Sequence, residues 1–272
     1  MKINSTAELI NVISNYKIMI FGAGYVAARF YGALKKHGIN NNVISFVTTS
    51  GSNSNIDGLS IIPIDQLEAD KQIIICVAVH DSIKDDIITT LVKKNFINYI
   101  WIYPFLYELL LGEPICRNSK VPLSKIWNAA RDDYGMAIRY LALDNYYGRN
   151  LNGYKLYKKY LSLFNNYETS EKRLIQFVKL IKNWEQNGYD TNKCSSIYEN
   201  YQIFDGAHRI AVASYFNQKF IMCDIYSMTN NIAEVHNSGA ILKKQYALDA
   251  GFEPEFIAML DAINQRIEEQ YR

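Results

Sequence analysis

A strand that runs through two glycines directly into a helix admits few folds, and residues 17–37 carry that pattern. Lys-Ile-Met-Ile-Phe at 17–21 reads as a short apolar strand, followed at once by Gly22-Ala23-Gly24-Tyr25-Val26-Ala27. From Tyr25 to His37 apolar residues recur at helical spacing: Val26, Phe30, Ala33 and Leu34 share a face, and Gly38 stands where a helix ends. The first glycine allows a tight turn. The second lets a phosphate approach the backbone, and the small Ala27 lets helix and strand pack closely. The spacing predicts further strands at 42–47, 59–64, 73–79 and 98–102. It predicts a polar loop at 48–57 and a helix at 82–94 with Ile83, Ile87, Ile88 and Leu91 inward. Strands alternating with helices imply an α/β fold with a parallel sheet covered on both faces.

Pro104, Pro114 and Pro122 then mark a change of character. With 272 residues the chain is long enough for about two domains of roughly 150 residues each. The expected division is 1–110 and 111–272. The second part reads as helices at 126–142, 153–164 and 171–187, with Ser170 as the N-cap of the last and Gly188 ending it. A hairpin follows, with strands 195–198 and 201–204 turning at Glu199-Asn200. Then come a helix at 207–216, a strand at 220–226, and helices at 238–250 and about 254–269.

Charge limits the partners. Lys and Arg total 29 against 27 Asp and Glu, so the net charge of +2 argues against nucleic acid and anionic membranes as general partners. The apolar runs at 18–21, 73–79 and 109–111 are too short for a signal segment or a membrane span, so a cytoplasmic protein is expected. The cysteines at 76, 116, 194 and 223 form no CxxC and are expected as reduced thiols. His37, His80, His208 and His236 form no metal motif. A small-molecule substrate is the expected partner. The oligomeric state is open, a homo-oligomer included.

Gly22, Gly24 and Ala27 are therefore candidate residues for binding a nucleotide-like anion at a helix N-terminus. An NAD site would also need an acidic residue at the end of the second strand. Thr48-Thr49-Ser50 stands there instead, which leaves an NAD-dependent oxidoreductase as a lesser alternative. His80, in Val79-His80-Asp81 at the carboxyl end of a buried strand, is a further site candidate beside a solvated-loop reading. As a whole, residues 15–103, with FGAG, ISFV, IDGLSIIPIDQL, IIICVAV and FINYIWI, resemble the Rossmann-like domain common in bacterial surface-polysaccharide proteins. That domain includes the N-terminal part of sugar acetyltransferases. The resemblance implies a bound nucleotide or nucleotide-sugar.

The second informative stretch is Tyr201-Gln202-Ile203-Phe204-Asp205-Gly206-Ala207-His208-Arg209-Ile210-Ala211. A strand ends in Asp205, Gly206 permits a tight turn, and a helix opens with His208 and Arg209 in its first turn. Cations there oppose the helix dipole, so the pair makes sense if both share an anion with the free backbone N–H groups. Asp205 could accept a proton from an attacking hydroxyl or hold Mg²⁺. The segment resembles the ParB/sulfiredoxin-like family, whose members include a CTP-binding partition protein, a sulfinic-acid phosphotransferase and free-serine kinases. The match is closest to the kinase-like DGHHR form: Asp205, Gly206, His208, Arg209 and Ala211 agree, while Ala207 replaces a histidine. No cysteine precedes His208, so the sulfinic-acid chemistry does not carry over. The resemblance covers about residues 170–227 and implies an α+β domain, here with added helices.

Kinases of this family use a second carboxylate. Glu199, Asp224 and Asp132-Asp133 are available. Tyr140, Tyr146, Tyr147, Tyr154, Tyr157, Tyr160 and Tyr167, interleaved with Arg131, Arg139 and Arg149, could stack on a sugar or base. They could equally form a helical core layer with wet hydroxyls. These readings imply a nucleotide-dependent phosphotransferase, a small-molecule or sugar kinase using ATP and Mg²⁺, in surface-polysaccharide synthesis. Asp205, His208 and Arg209 are its expected catalytic residues, Gly206 a phosphate-binding residue and Asp205 a metal ligand. The alternative of a different class is a non-catalytic nucleotide or nucleotide-sugar-binding switch.

Overall fold

A computed structural model describes residues 1–50, 55–163, 167–228 and 241–271, without side chains at positions 82 and 167–169. Part of the polar loop (51–54), the helix end at Phe164, His236 and the helix start at 238–240 lie outside the described residues, as does the Tyr167 side chain. The chain is α/β with two mixed sheets and divides into two compact units, Met1–Gly112 and Glu113–Arg272.

In the first unit the elements run α1 (Thr6–Ser14), β1 (Lys17–Phe21), α2 (Tyr25–Lys36), β2 (Val43–Thr48), β3 (Asn55–Ile56), β4 (Leu59–Pro63), β5 (Ile73–Val77), α3 (Asp81–Lys93), β6 (Tyr99–Trp101) and α4 (Leu106–Leu111). Sheet order is β3-β4-β2-β1-β5-β6. All neighbours are parallel except the short β3, which is antiparallel to β4. The chain builds outward from β1 to β2 and β4, then crosses back to add β5 and β6 on the other side. At β1 and β5 the connections part in opposite directions. The carboxyl ends of those strands therefore flank a crevice, where open α/β sheets receive ligands. Ile18, Ile20, Ile74, Ile75, Cys76 and Val77 are almost wholly buried, as strands covered on both faces require.

The second unit contains β7 (Cys116–Pro122), α5 (Leu123–Ala129), α6 (Tyr134–Tyr146), α7 (Gly153–Ser162), α8 (Tyr167–Asn187), β8 (Ser195–Tyr198), β9 (Ile203–Asp205), α9 (Ala207–Tyr215), β10 (Phe220–Tyr226), α10 (Lys244–Asp249) and α11 (Pro254–Tyr271). Its sheet runs β7-β10-β8-β9, with β10 parallel to β8 and the other pairs antiparallel. Helix α6 packs against α7, α9 and α11, and is buried from Tyr134 to Asp144 apart from Arg139.

Four sequence expectations are corrected. The single helix at 126–142 is two, α5 and α6. They are separated by a turn in which the Asp133 carboxylate accepts the Gly135 N–H at 2.8 Å and caps α6. Ser170 lies inside α8, which begins at Tyr167, and is buried rather than capping. The helix over 238–250 begins only at Lys244, after Leu242 N–H has been drawn to Asp133 at 3.0 Å. The second hairpin strand, expected at 201–204, is β9 at Ile203–Asp205, and Tyr201 belongs to the turn with a left-handed φ.

Candidate functional site

The corner at Asp205–Arg209 is built by a hairpin and a helix start. Strand β8 is buried along its length. Tyr201 takes a left-handed φ of 67°, and Tyr198 N–H bonds the Gln202 carbonyl at 2.9 Å, so the chain returns as β9. Asp205 ends that strand opposite Ser196. Gly206 adopts φ 87° and ψ 13°, left-handed, and is the N-cap of α9. The first intrahelical bond is Ile210 N–H to the Gly206 carbonyl at 3.0 Å, and glycine supplies no side-chain cap. The opening amides of α9 therefore have no helical acceptor. A β-carbon at position 206 would collide with Ser195 Oγ and lie 3.0 Å from Arg209 Nη2. Only glycine fits there.

Asp205 and Arg209 come within 3.6 Å across one helical turn, with side chains 24% and 26% exposed, so the corner is neither sealed nor fully solvated. Arg209 also donates from Nη2 to the Cys194 carbonyl at 2.7 Å. Among the described residues, its Nε and the wholly buried Ser195 Oγ are enclosed without a hydrogen-bond partner. Buried polar atoms in that state are uncommon, and they mark a place where a further group is accommodated or where strain is held.

His208 turns toward the helical layer. Its Nε2 lies 2.5 Å from the hydroxyl of Tyr157 on α7, and its ring sits 4.8 Å from that of Phe177 on α8. Tyr157 is wholly buried, and burial pushes its phenol up to about 12 against the opposing pull of Arg139 and Arg173. Arg139 donates to the Gly135 carbonyl at 2.6 Å and lies 5.3 Å from the centre of the Tyr160 ring, with its Nε enclosed and without a hydrogen-bond partner among the described residues. Burial also raises the Asp133 carboxyl, opposed by Arg139 and by the Leu242 and Gly135 N–H groups.

The tyrosines form a core layer, and several of their hydroxyls are engaged by other side chains, those of Tyr146 and Tyr147 in exposed contacts. Tyr134 reaches Asp261, Tyr146 and Tyr147 reach Glu185, and Tyr215 reaches Asp144. Of the candidate second carboxylates, Glu199 and Asp133 make their contacts away from the corner, while Asp224 lies two strands across from Asp205 and acts on Cys194 together with Arg209. Glu199 Oε1 accepts the Met228 N–H and the Ser227 hydroxyl, Asp224 accepts the Asn118 N–H, Asp133 caps α6, and Asp132 is exposed. Clefts of about 260 and 220 Å³ run along Trp127, Arg131 and Glu268 and along Asp70, Lys71 and Phe96; corner residues line neither. Among the described residues no group of three or more His, Cys, Asp or Glu could hold a metal ion.

In the first unit Gly22 has φ 122°, donates to the Val47 carbonyl at 2.8 Å, and leaves room for a β-carbon only 2.8 Å from the Ala78 carbonyl oxygen. It sits between the carboxyl ends of β1 and β5. Gly24 caps α2 with open space around it, and Ala27 is wholly buried beneath Gly22. Thr48 Oγ1, at the end of β2, is enclosed and has no hydrogen-bond partner among the described residues. His80 is exposed ahead of α3, its ring 4.9 Å from that of Tyr103. The four cysteines are free thiols; Cys76 and Cys223 are buried and Cys116 is exposed. No helix among the described residues is long and apolar enough to cross a membrane.

No protein-family model, curated protein or solved structure compared with the chain matches it.

Proposed function

We propose that the protein is a nucleotide-dependent phosphotransferase of small hydroxylated molecules, with a Rossmann-like first unit and a ParB/sulfiredoxin-like second unit. One observation carries the reading. At the mouth of α9, opened by a left-handed glycine, a carboxylate and a guanidinium lie 3.6 Å apart, each about one quarter exposed. A helix N-terminus with an arginine favours phosphate oxygens. Asp205 would take the proton of the attacking hydroxyl or hold Mg²⁺. That ion commonly rests on one or two carboxylates plus the substrate's own phosphates. Such chemistry is positioning and charge stabilisation. The turn at Gly22–Gly24 would hold a second nucleotide or a nucleotide-sugar. A cytoplasmic role in surface-polysaccharide synthesis rests on the resemblance of residues 15–103 alone.

The experiment pairs calorimetry with a transfer assay using Mg·ATP. Arg209→Ala is expected to weaken binding by roughly 1.5–3 kcal/mol, the range for a charge-assisted hydrogen bond. Asp205→Ala is expected mainly to lower turnover. Thermal melts check that both variants fold, because Arg209 also braces the Cys194 carbonyl. Unchanged binding and rate in both would remove the site. A second reading, a nucleotide-binding switch without turnover, is favoured by the engagement of Glu199 and Asp133 elsewhere. Tight binding with no transfer would select it. A thermal-shift screen that includes NAD and nucleotide-sugars tests the turn at Gly22–Gly24.

A further inference from the structure

Tyr157 and His208 are 51 residues apart in sequence, yet the tyrosine hydroxyl and the imidazole Nε2 meet at 2.5 Å. Tyr157 is wholly buried. A hydroxyl has one hydrogen to donate, and a buried O–H with no acceptor loses its hydration without compensation. Among the described residues the Tyr157 hydroxyl has a single hydrogen-bond partner, His208 Nε2. That nitrogen must then be the acceptor. A neutral imidazole carries its proton on one ring nitrogen, and the partner of one nitrogen decides which.

We infer that Tyr157 is a positioning residue that holds His208 in its Nδ1–H form, with Nε2 turned to the phenol. The ring is fixed in orientation by the same bond and by Phe177, against which it packs. When neutral, His208 then adds no second full cation beside Arg209 in the first turn of α9. This removes the difficulty of two cations opposing the helix dipole at one end. A single charged arginine suits phosphate oxygens at that end. The charges acting on the phenol from the neighbouring helices are Arg139 on α6 and Arg173 on α8. Both lower its proton affinity, while burial keeps it protonated and able to donate. The consequence for phosphate rests on the proposed function; the tautomer does not.

The test separates the two. Long-range nitrogen–proton NMR of the ligand-free protein, taken where His208 is neutral, reports the tautomer directly. Nδ1–H is expected in the unaltered protein, and Nε2–H there would overturn the inference. Tyr157→Phe keeps the ring and removes only the hydroxyl. It is expected to release His208 from the Nδ1–H form, whereas an unchanged spectrum would show that the tyrosine does not set it. Circular dichroism confirms that the variant is folded, and His208→Gln, whose carbonyl can still accept from Tyr157, serves as the second variant. It is expected to retain the melting temperature that His208→Leu loses; equal losses would argue against an acceptor at that position. With Mg·ATP as probe, Tyr157→Phe is expected to weaken binding roughly 3- to 10-fold, the size of one neutral hydrogen bond. If the tautomer responds as stated but Mg·ATP binds to no form of the protein, the inference stands and the phosphotransferase reading falls.

Discussion

Gly206 makes the corner, and its replacement is the sharpest stability test at the scale of one residue. A side chain there meets two penalties: a left-handed backbone at φ 87° and a collision with Ser195 on the neighbouring strand. Gly206→Ala is expected to destabilise the fold by about 2–4 kcal/mol, combining the left-handed cost with overpacking. Gly24 is the contrast. Its φ is −97° and nothing crowds it, so Gly24→Ala is expected to cost about 0.5–1 kcal/mol as a poorer N-cap. Urea unfolding of both variants gives the comparison, and equal losses would show that the corner relaxes around a methyl group. The succession Asp205-Gly206-Ala207-His208-Arg209 was readable because its geometry is local: strand end, turn, helix start. The partner of His208 was not. Tyr157 lies among many tyrosines, and nothing in the spacing of residues distinguishes it.

Elements are tied together in the second unit by one buried carboxylate. Asp144 on α6 is 4% exposed, accepts the Tyr215 hydroxyl from α9 at 3.0 Å and is paired with Arg266 of α11 at 2.9 Å. Asp144→Ala is expected to lower stability by about 1–3 kcal/mol, the cost of leaving bonded polar groups unpaired. The figure stays modest because Arg266 is 45% exposed and can be rehydrated. The double variant with Arg266→Ala should lose less than the two single losses added, which a urea-unfolding cycle measures. Additive losses would show that the pair is not coupled. Helix existence was mostly readable at this scale; helix limits were not. The N-terminal α1 carried a readable mark, Ser5-Thr6-Ala7-Glu8. Ser5 Oγ accepts the Glu8 N–H at 3.1 Å, and Glu8 reaches back to the Asn4 N–H at 2.8 Å. The break between α5 and α6 had no such mark. It depends on Asp133 receiving the Leu242 N–H from a segment 109 residues away.

Over the whole molecule, the buried tyrosines set a limit on alkaline stability. Burial raises the phenols of Tyr147, Tyr160 and Tyr215, and brings that of Tyr157 to about 12. The unfolded chain titrates its phenols near pH 10. Between that value and the folded ones, the folded state holds more protons than the unfolded state, so stability falls as pH rises. The stabilisation is complete below about pH 10 and is lost progressively up to about 12 for Tyr157. Urea midpoints near pH 8 and about pH 11, read beside tyrosinate absorbance, check this. An unchanged midpoint between the two pH values would show that the buried phenols carry no such linkage.

Read alone, the sequence determined the alternation of strands and helices, the glycine turn after β1 and the strand–turn–helix at Asp205–Arg209. Each is encoded within a few consecutive residues by periodicity and by the conformational freedom of glycine. Tertiary structure alone decided the strand order that sets Gly22 against Ala78, the carboxylates that receive the tyrosine hydroxyls, and the meeting of Tyr157 with His208. Those contacts join residues far apart in the chain. Their pairing follows from how helices and strands pack, which local spacing does not specify.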